Sequence, residues 1–170
     1  MKYAGIVKND TANAPGVCVS FYAQGCDHRC SGCHNPETWD FEGGKEFTPD
    51  VLKQIDKALV ANGVHRDFCL LGGEPLHEKN LMLSYLLIEH IRQIHPDVKI
   101  YIWSGYLYED LLETAKTNHK LRFILDNSDY LIDGPFILAK RDITLWMRGS
   151  PNQRIWDLKN KKEIKEKNEL

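Results

Sequence analysis

The chain has no excess of basic charge. Its 22 Lys and Arg stand against 24 Asp and Glu, a formal net charge of −2, so nucleic acid and anionic membrane surfaces are not favoured partners. Long hydrophobic runs are also missing: the most apolar segment, "LMLSYLLIEHI" at Leu81–Ile91, is too short and too interrupted to span a bilayer. The opening "MKYAGIVKND" lacks the apolar core of a signal peptide, and a cytoplasmic location is expected. Neither an internal repeat nor a low-complexity linker is present. One domain is therefore expected over residues 1–158, followed by a charged, solvated tail, "KNKKEIKEKNEL", at 159–170. Cysteine is scarce and odd in number, with five residues, which argues against a disulfide framework in a reducing compartment.

Three of those five cysteines nonetheless crowd into "GCDHRCSGCHN" at Gly25–Asn35. Cys26, Cys30 and Cys33 stand in a C-x3-C-x2-C arrangement, a spacing that lets three sulfurs in a loop converge on one metal centre. Read from the residues alone, zinc and iron–sulfur both remain open. A zinc site would recruit His28 or His34 as the fourth ligand. An iron–sulfur cubane held by three thiolates would keep one iron without a protein ligand, a coordination position for a substrate.

Around this loop the chain alternates between two periods. Val17, Val19 and Phe21 alternate with Cys18, Ser20 and Tyr22, which predicts a strand feeding the cysteine loop. Thr48 and Pro49 open a helix with Val51, Leu52, Ile55, Ala58 and Leu59 on one face, ending near Gly63. "DFCLLGGEPL" reads as a buried strand breaking into a Gly-Gly turn. A second helix runs from about Asn80 to Pro96, with Leu83, Leu86, Leu87, Ile91 and Ile94 at helical spacing. "VKIYIWSGY" is a strand, "YEDLLETAK" a helix and "DYLIDGPF" a strand, and the segment through "RGSPNQRIWDL" supplies a last strand or hairpin. Strands alternating with helices predict an α/β fold with mostly parallel strands. A closed eight-fold barrel needs about 250 residues, so an open, partial (β/α) barrel or a splayed sheet is expected. Its strand-end turns "QGC", "LLGGEP" and "WSGY" should share one rim.

The C-x3-C-x2-C motif together with "LLGGEP" at Leu70–Pro75 resembles the radical S-adenosylmethionine superfamily. More narrowly, "NAPG" (Asn13–Gly16), "CHNPETW" (Cys33–Trp39), "WSGY" (Trp103–Tyr106), "DGPF" (Asp133–Phe136) and "RGSPNQR" (Arg148–Arg154) resemble the activating proteins of anaerobic ribonucleoside-triphosphate reductase. The likeness implies a [4Fe–4S] cluster on Cys26, Cys30 and Cys33, with S-adenosylmethionine bound at the open iron through its amine and carboxylate. It implies reductive cleavage of that sulfonium, and a 5′-deoxyadenosyl radical that takes hydrogen from a glycine of the reductase. A low-potential electron donor is then required as a further partner, a flavodoxin-like protein being one candidate.

The same likeness assigns cofactor contacts. Gly72 and Gly73 let backbone approach the methionine portion, Glu74 accepts from its ammonium, and Ser104 and Gly105 face the ribose. Gly32 stands where the superfamily often has an aromatic, so backbone around Gly32, Cys33 and His34 is expected to meet the adenine. Ala14 and Cys18 also depart from the family pattern. His77 and Asp133 are read either as cleft residues or as turn and capping groups, and Cys18 and Cys69 as small buried hydrophobes. Arg148 and Arg154 are expected in a loop at the active-site rim or the reductase interface, without individual roles. Two other readings stand beside this one: an activase of a different glycyl-radical enzyme, and a non-catalytic zinc-binding interaction module.

Overall fold

Eight strands and four helices follow one another in the computed structural model, which describes residues 1–170. They are β1 (Lys2–Asp10), β2 (Cys18–Ala23), β3 (Lys45–Glu46), α1 (Pro49–Leu59), β4 (Asp67–Gly72), α2 (Leu81–Ile94), β5 (Ile100–Trp103), α3 (Tyr108–Ala115), α4 (His119–Asp126), β6 (Tyr130–Asp133), β7 (Arg154–Asp157) and β8 (Lys162–Ile164). All the strands join one sheet, in the order β3-β1-β2-β4-β5-β6-β7-β8.

The expectation of a mostly parallel partial barrel is overturned: the sheet is mixed, with antiparallel pairings in the majority. Only β2–β4, β4–β5 and β5–β6 pair in parallel. On the flanks β1–β2, β1–β3, β6–β7 and β7–β8 are all antiparallel. The physical reason lies in the connections. A parallel neighbour needs a crossover of a dozen or more residues, usually a helix, whereas a short link permits only an antiparallel return. Residues 11–17 and 158–161 are such short links, and the longer 134–153 segment holds no helix beyond a 3-10 turn at Leu138–Lys140. The strand–helix rhythm is thus real for β2 through β6 and does not extend to either end of the chain.

Period-two alternation sorts the parallel strands into two faces. Val19, Phe21, Phe68, Leu70, Ile100, Ile102 and Leu131 point to one side, where the buried residues of all four helices cover them in the main core. Successive strands are added on the same side, and right-handed crossovers then carry every helix to one face. Cys18, Cys69, Leu71, Tyr101, Tyr130 and Ile132 point the other way into a smaller cluster with Met147, Ile155 and Ile164. That second face has no helix. Loops cover it, which leaves room at its upper end for a cavity.

Several elements match the sequence reading: Thr48 is the extended residue before α1 and Pro49 opens it, although the Thr48 hydroxyl makes no capping bond. Helix α4 was not anticipated, yet its signals are local: the Asn118 side chain accepts from the Leu121 N–H, and Leu121, Ile124 and Leu125 are buried at helical spacing. Strands β1 and β3 were likewise missed. The segment expected as a solvated tail contributes β8, with Ile164 buried opposite Ile155, and Glu166 and Glu169 form a capping box over the last turn. No helix is long and apolar enough to cross a membrane.

Strand β7 is tied down by one arginine. Arg154 donates from Nε to Asp133 Oδ1 and from Nη2 to Oδ2, and also reaches both Glu109 oxygens at 2.8 and 2.7 Å. Asp133 is fully buried and also receives the Tyr108 N–H at 2.8 Å, which starts α3. The Arg154 hydrogen bonds hold the Glu109 carboxyl down to about 2. Removing one partner of a buried pair leaves an uncompensated charge, and Arg154→Met is expected to cost about 3 kcal/mol or more. Glu109→Gln touches the exposed half of the network and should cost under about 1 kcal/mol. Urea denaturation of the two variants checks the ranking, and Asp133→Asn in the Arg154→Met background should recover part of the loss.

Candidate active site

The parallel strands end together, and their C-terminal ends open on a cavity of about 430 Å³. Tyr22 of β2, Leu71 and Gly72 of β4 and Trp103 of β5 form its floor. Cys30, Cys33 and His34 supply part of the wall, and Phe136, Leu145, Met147 and Arg148, from the segment joining β6 to β7, continue it.

The cysteine loop leaves β2 and is clamped at both ends. Gly25 N–H donates to the Thr38 carbonyl at 2.7 Å and Cys26 N–H to the Trp39 carbonyl at 3.1 Å. The Gln24 side-chain amide donates to the carbonyls of Glu37 and Asp40. Within the clamp the backbone reverses at Arg29 and Gly32, both with positive φ, and Cys33 N–H closes a turn onto the Cys30 carbonyl. Cys30 and Cys33 line the cavity, whereas Cys26, 8% exposed, does not. Burial pushes the Cys26 thiol pKa up and the nearby Glu74 charge adds to this, against the lowering effect of the His28 and Arg29 N–H groups. All three thiols are free. No three His, Cys, Asp or Glu side chains stand close enough together to hold a metal ion as placed. The donor set nevertheless fits an iron–sulfur cluster in its chemistry: three unpaired sulfurs on one tethered loop, two of them already on the wall of a roomy cavity.

The Gly-Gly-Glu-Pro turn meets this loop through backbone. Gly73 N–H donates to the Ala23 carbonyl and Glu74 N–H to the Gly25 carbonyl. Gly72 has φ +100°, and a Cβ there would lie 2.7 Å from Tyr22 Cα; one on Gly73 would lie 2.5 Å from the Gly25 oxygen. The two glycines are required by the protein's own close packing, in addition to lining the cavity.

Glu74 is the hub. Its carboxylate is 1% exposed and accepts four hydrogen bonds. Oε1 takes the Leu76 N–H and the Ser104 hydroxyl, each at 2.9 Å; Oε2 takes the Gly105 N–H at 2.7 Å and His28 Nε2 at 2.9 Å. A carboxylate offers about four lone-pair sites, and these donors use them. One side chain therefore joins the β4–α2 turn, the β5–α3 turn and the cysteine loop. The hydrogen bond from His28 to Glu74 raises the imidazole's pKa above its ordinary 6.5, with burial opposing it. The His28 ring also stands edge-on to Tyr106 at 4.6 Å.

The structure brings Cys30, Cys33, His34, Gly72, Gly73, Glu74, Ser104 and Gly105 to one cavity, and leaves Cys26 and Gly32 off its surface. Leu138 lies over Gly32, where a Cβ would meet its Cδ1 at 2.7 Å. His77 pairs with Asp27, and Asp133 serves Arg154 and Tyr108, so both take the turn-and-capping alternative. Cys18 and Cys69 are fully buried and donate to the Asp10 and Asn13 carbonyls, beside the turn whose Ala12 and Asn13 reach the cavity. Sequence reasoning missed three contributors. His28 was considered only as a zinc ligand, and its partner lies too far along the chain for spacing to show. Phe136 sits 5.2 Å from the His34 ring. Gln153 ties the β6–β7 segment together by accepting from Gly149 N–H and donating to the Gly134 carbonyl.

The His28–Glu74 pair has a pH signature in the metal-free chain. A histidine whose folded pKa lies above its unfolded one contributes stability in full below the ordinary value and loses it as pH rises through the folded value. Thermal stability of the metal-free protein should therefore decline from about pH 6.5 upward. The His28 titration followed by NMR should move back down in Glu74→Gln; an unmoved titration would contradict the pairing.

Comparison with known proteins gives the chain's family. The family described as a 4Fe-4S single cluster domain matches residues 12–156. The anaerobic ribonucleoside-triphosphate reductase-activating protein of Pasteurella multocida (strain Pm70) is 34% identical over 157 residues, covering 92% of this chain and 97% of its own. The protein of the same name from Enterobacteria phage T4 is 33% identical, with 92% and 94% covered. That of Escherichia coli (strain K12) is 32% identical, with 94% and 100% covered. Loop, turn and cavity lie within residues 12–156, the span of that family model, and the chain belongs to the family of anaerobic ribonucleoside-triphosphate reductase-activating proteins.

Proposed function

We propose that the chain is a radical S-adenosylmethionine enzyme that activates an anaerobic ribonucleoside-triphosphate reductase by installing a glycyl radical. The observation that carries this reading is the meeting, on one cavity, of two cysteines of the C-x3-C-x2-C loop with the Gly72–Glu74 turn and the Ser104–Gly105 turn. The names of the relatives supply the partner, and the family's single 4Fe-4S cluster speaks for iron–sulfur over zinc at these thiols.

Cys26, Cys30 and Cys33 would hold a [4Fe–4S] cluster. When bound, it supplies the electron that cleaves S-adenosylmethionine to methionine and a 5′-deoxyadenosyl radical, which takes a hydrogen atom from a glycine Cα of the reductase. The chain's own residues prepare the space. Glu74 acts through the groups it holds: it fixes Ser104 and the Gly105 backbone for the sugar end of the ligand and keeps a negative charge beside the cavity for the ligand's ammonium. His34, Phe136, Tyr22 and Trp103 give the cavity aromatic surface suited to an adenine ring. Trp103 Nε1 donates to the Met147 carbonyl at 3.0 Å, holding the β6–β7 segment over the site so that water is kept from a reactive intermediate. We place the reaction in the cytoplasm, with reducing power from a low-potential donor protein of flavodoxin type.

Mixing the reconstituted chain, a strong reductant, S-adenosylmethionine and the reductase should produce a glycyl radical by electron paramagnetic resonance. Cys30→Ala should lose both the radical and the iron content; retention of either would remove Cys30 from the ligand set. A colourless protein carrying one zinc after anaerobic purification would sink the enzyme reading. Glu74→Gln should keep its iron and sulfide but bind S-adenosylmethionine about tenfold or more weakly, because an amide nitrogen would replace an acceptor facing the Ser104–Gly105 turn or His28. Equilibrium dialysis with the labelled ligand measures this directly.

A further inference from the structure

Beside the cavity, several large apolar side chains stay exposed. Ile143 is 85% exposed, Leu138 49% and Leu107 42%. Leu138 covers Gly32 of the cysteine loop, and Leu107 reaches to 3.7 Å from where a Cβ on cavity-lining Gly134 would stand. Ile143 lies two residues before Leu145, which lines the cavity wall. Exposed aliphatic side chains grouped around a cleft mark an interaction surface, whereas single ones carry no such meaning.

The charges of the same segment are one-sided. Lys140 and Arg141 are exposed and enter no ion pair within the chain. The single acid between Gly134 and Gly149, Asp142, is engaged at home, where its carboxylate accepts the Thr144 N–H and hydroxyl. The segment is held in place from below: Asp142 N–H donates to the Gly149 carbonyl and Ile137 N–H to the Ser150 hydroxyl. The segment forms a ledge, tied to its own return at Gly149 and Ser150, that presents aliphatic tips and two cations outside any ion pair.

We propose that the ledge Leu138–Ile143, with Leu107 across the mouth, is the docking surface for the protein substrate. The partner segment it fits is extended, with aliphatic side chains on the ledge and carboxylates opposite Lys140 and Arg141, and it presents a glycine to the opening. The proposal rests on the reading that this site acts on another protein. The chemistry requires a backbone Cα to reach the cavity, and a segment seated on Leu138 lies directly over the cysteine loop. Aliphatic anchors give such a contact its affinity, and the cations set its register and approach.

The test uses the full chain, reconstituted anaerobically with iron and sulfide, and its cognate reductase. Ile143→Asp and the double variant Lys140→Glu/Arg141→Glu are compared with the unchanged protein by calorimetry. Ile143→Asp should raise the Kd for the reductase about tenfold or more. The charge-reversed variant should also bind more weakly, by a margin that shrinks as salt is added. Formation of 5′-deoxyadenosine by the chain alone, driven by dithionite, should remain within about twofold of the unchanged protein, since neither site touches the cavity. Ile143→Ser serves as a milder second variant, and far-ultraviolet circular dichroism verifies folding. Unaltered Kd in both main variants would overturn the proposal. So would unaltered reductase binding combined with a lost response to a protein electron donor, which would assign the ledge to that donor. Failure of the unchanged protein to form 5′-deoxyadenosine would instead defeat the proposed activity, and the Kd comparison would still decide the docking surface.

Discussion

A single buried carboxylate organises the functional end of this protein. Glu74 receives four hydrogen bonds from three separate segments, and each donor belongs to a loop that lines the cavity. Taken into a low-dielectric interior, an unpaired carboxylate is costly, and that cost drops only when every donor is in place. The cysteine loop, the Gly-Gly turn and the Ser104–Gly105 turn thereby hold one another in position. His28 is the most informative of the four because it sits between the first two cysteines. Through it the cysteine loop is attached to the sheet at its middle as well as at its ends.

This arrangement depends on an asymmetry of the sheet. Three parallel crossovers send all four helices to one face, where they build the main core. The opposite face is covered by the β1–β2 turn, the β6–β7 segment and the last residues beyond β8, none of which fills the space above the strand ends. An open sheet of this kind places its ligand site outside the carboxyl ends of parallel strands. The antiparallel flanks then do a different job. They extend the sheet without adding helices, and β7 returns the chain so that the 134–153 segment crosses over the cavity. Arg154, bound to buried Asp133, fixes where that return begins.

Gly32, Cys18 and Cys69 each have definite surroundings in the fold. Leu138 of the β6–β7 segment stands where a side chain on Gly32 would lie. The apolar cover beside the third cysteine thus comes from the β6–β7 segment instead of the cysteine loop. Cys18 and Cys69, on adjacent strands, brace the turn around Asn13 by donating to backbone carbonyls, so the "NAPG" stretch is held from beneath by thiols and by Asp10.

Much of this protein is legible in its sequence. Cysteine spacing, the Gly-Gly-Glu-Pro turn and the alternation of Val19, Phe21, Phe68 and Leu70 are local patterns, and local patterns survive in sequence. They determined the central strands, three of the four helices, the cysteine loop and the family. What only the tertiary structure decided were the relations between segments distant along the chain. The antiparallel flanks depend on connection length, and β1 and β8 have burial patterns too irregular to announce a strand. Glu74 showed in sequence as an acid beside a turn, but its donors are separated from it by up to 46 residues, and no period links them. Hydrogen-bond partnership and packing are properties of three-dimensional proximity. The chain therefore states which chemistry it carries, and the fold alone states which side chains hold that chemistry in place.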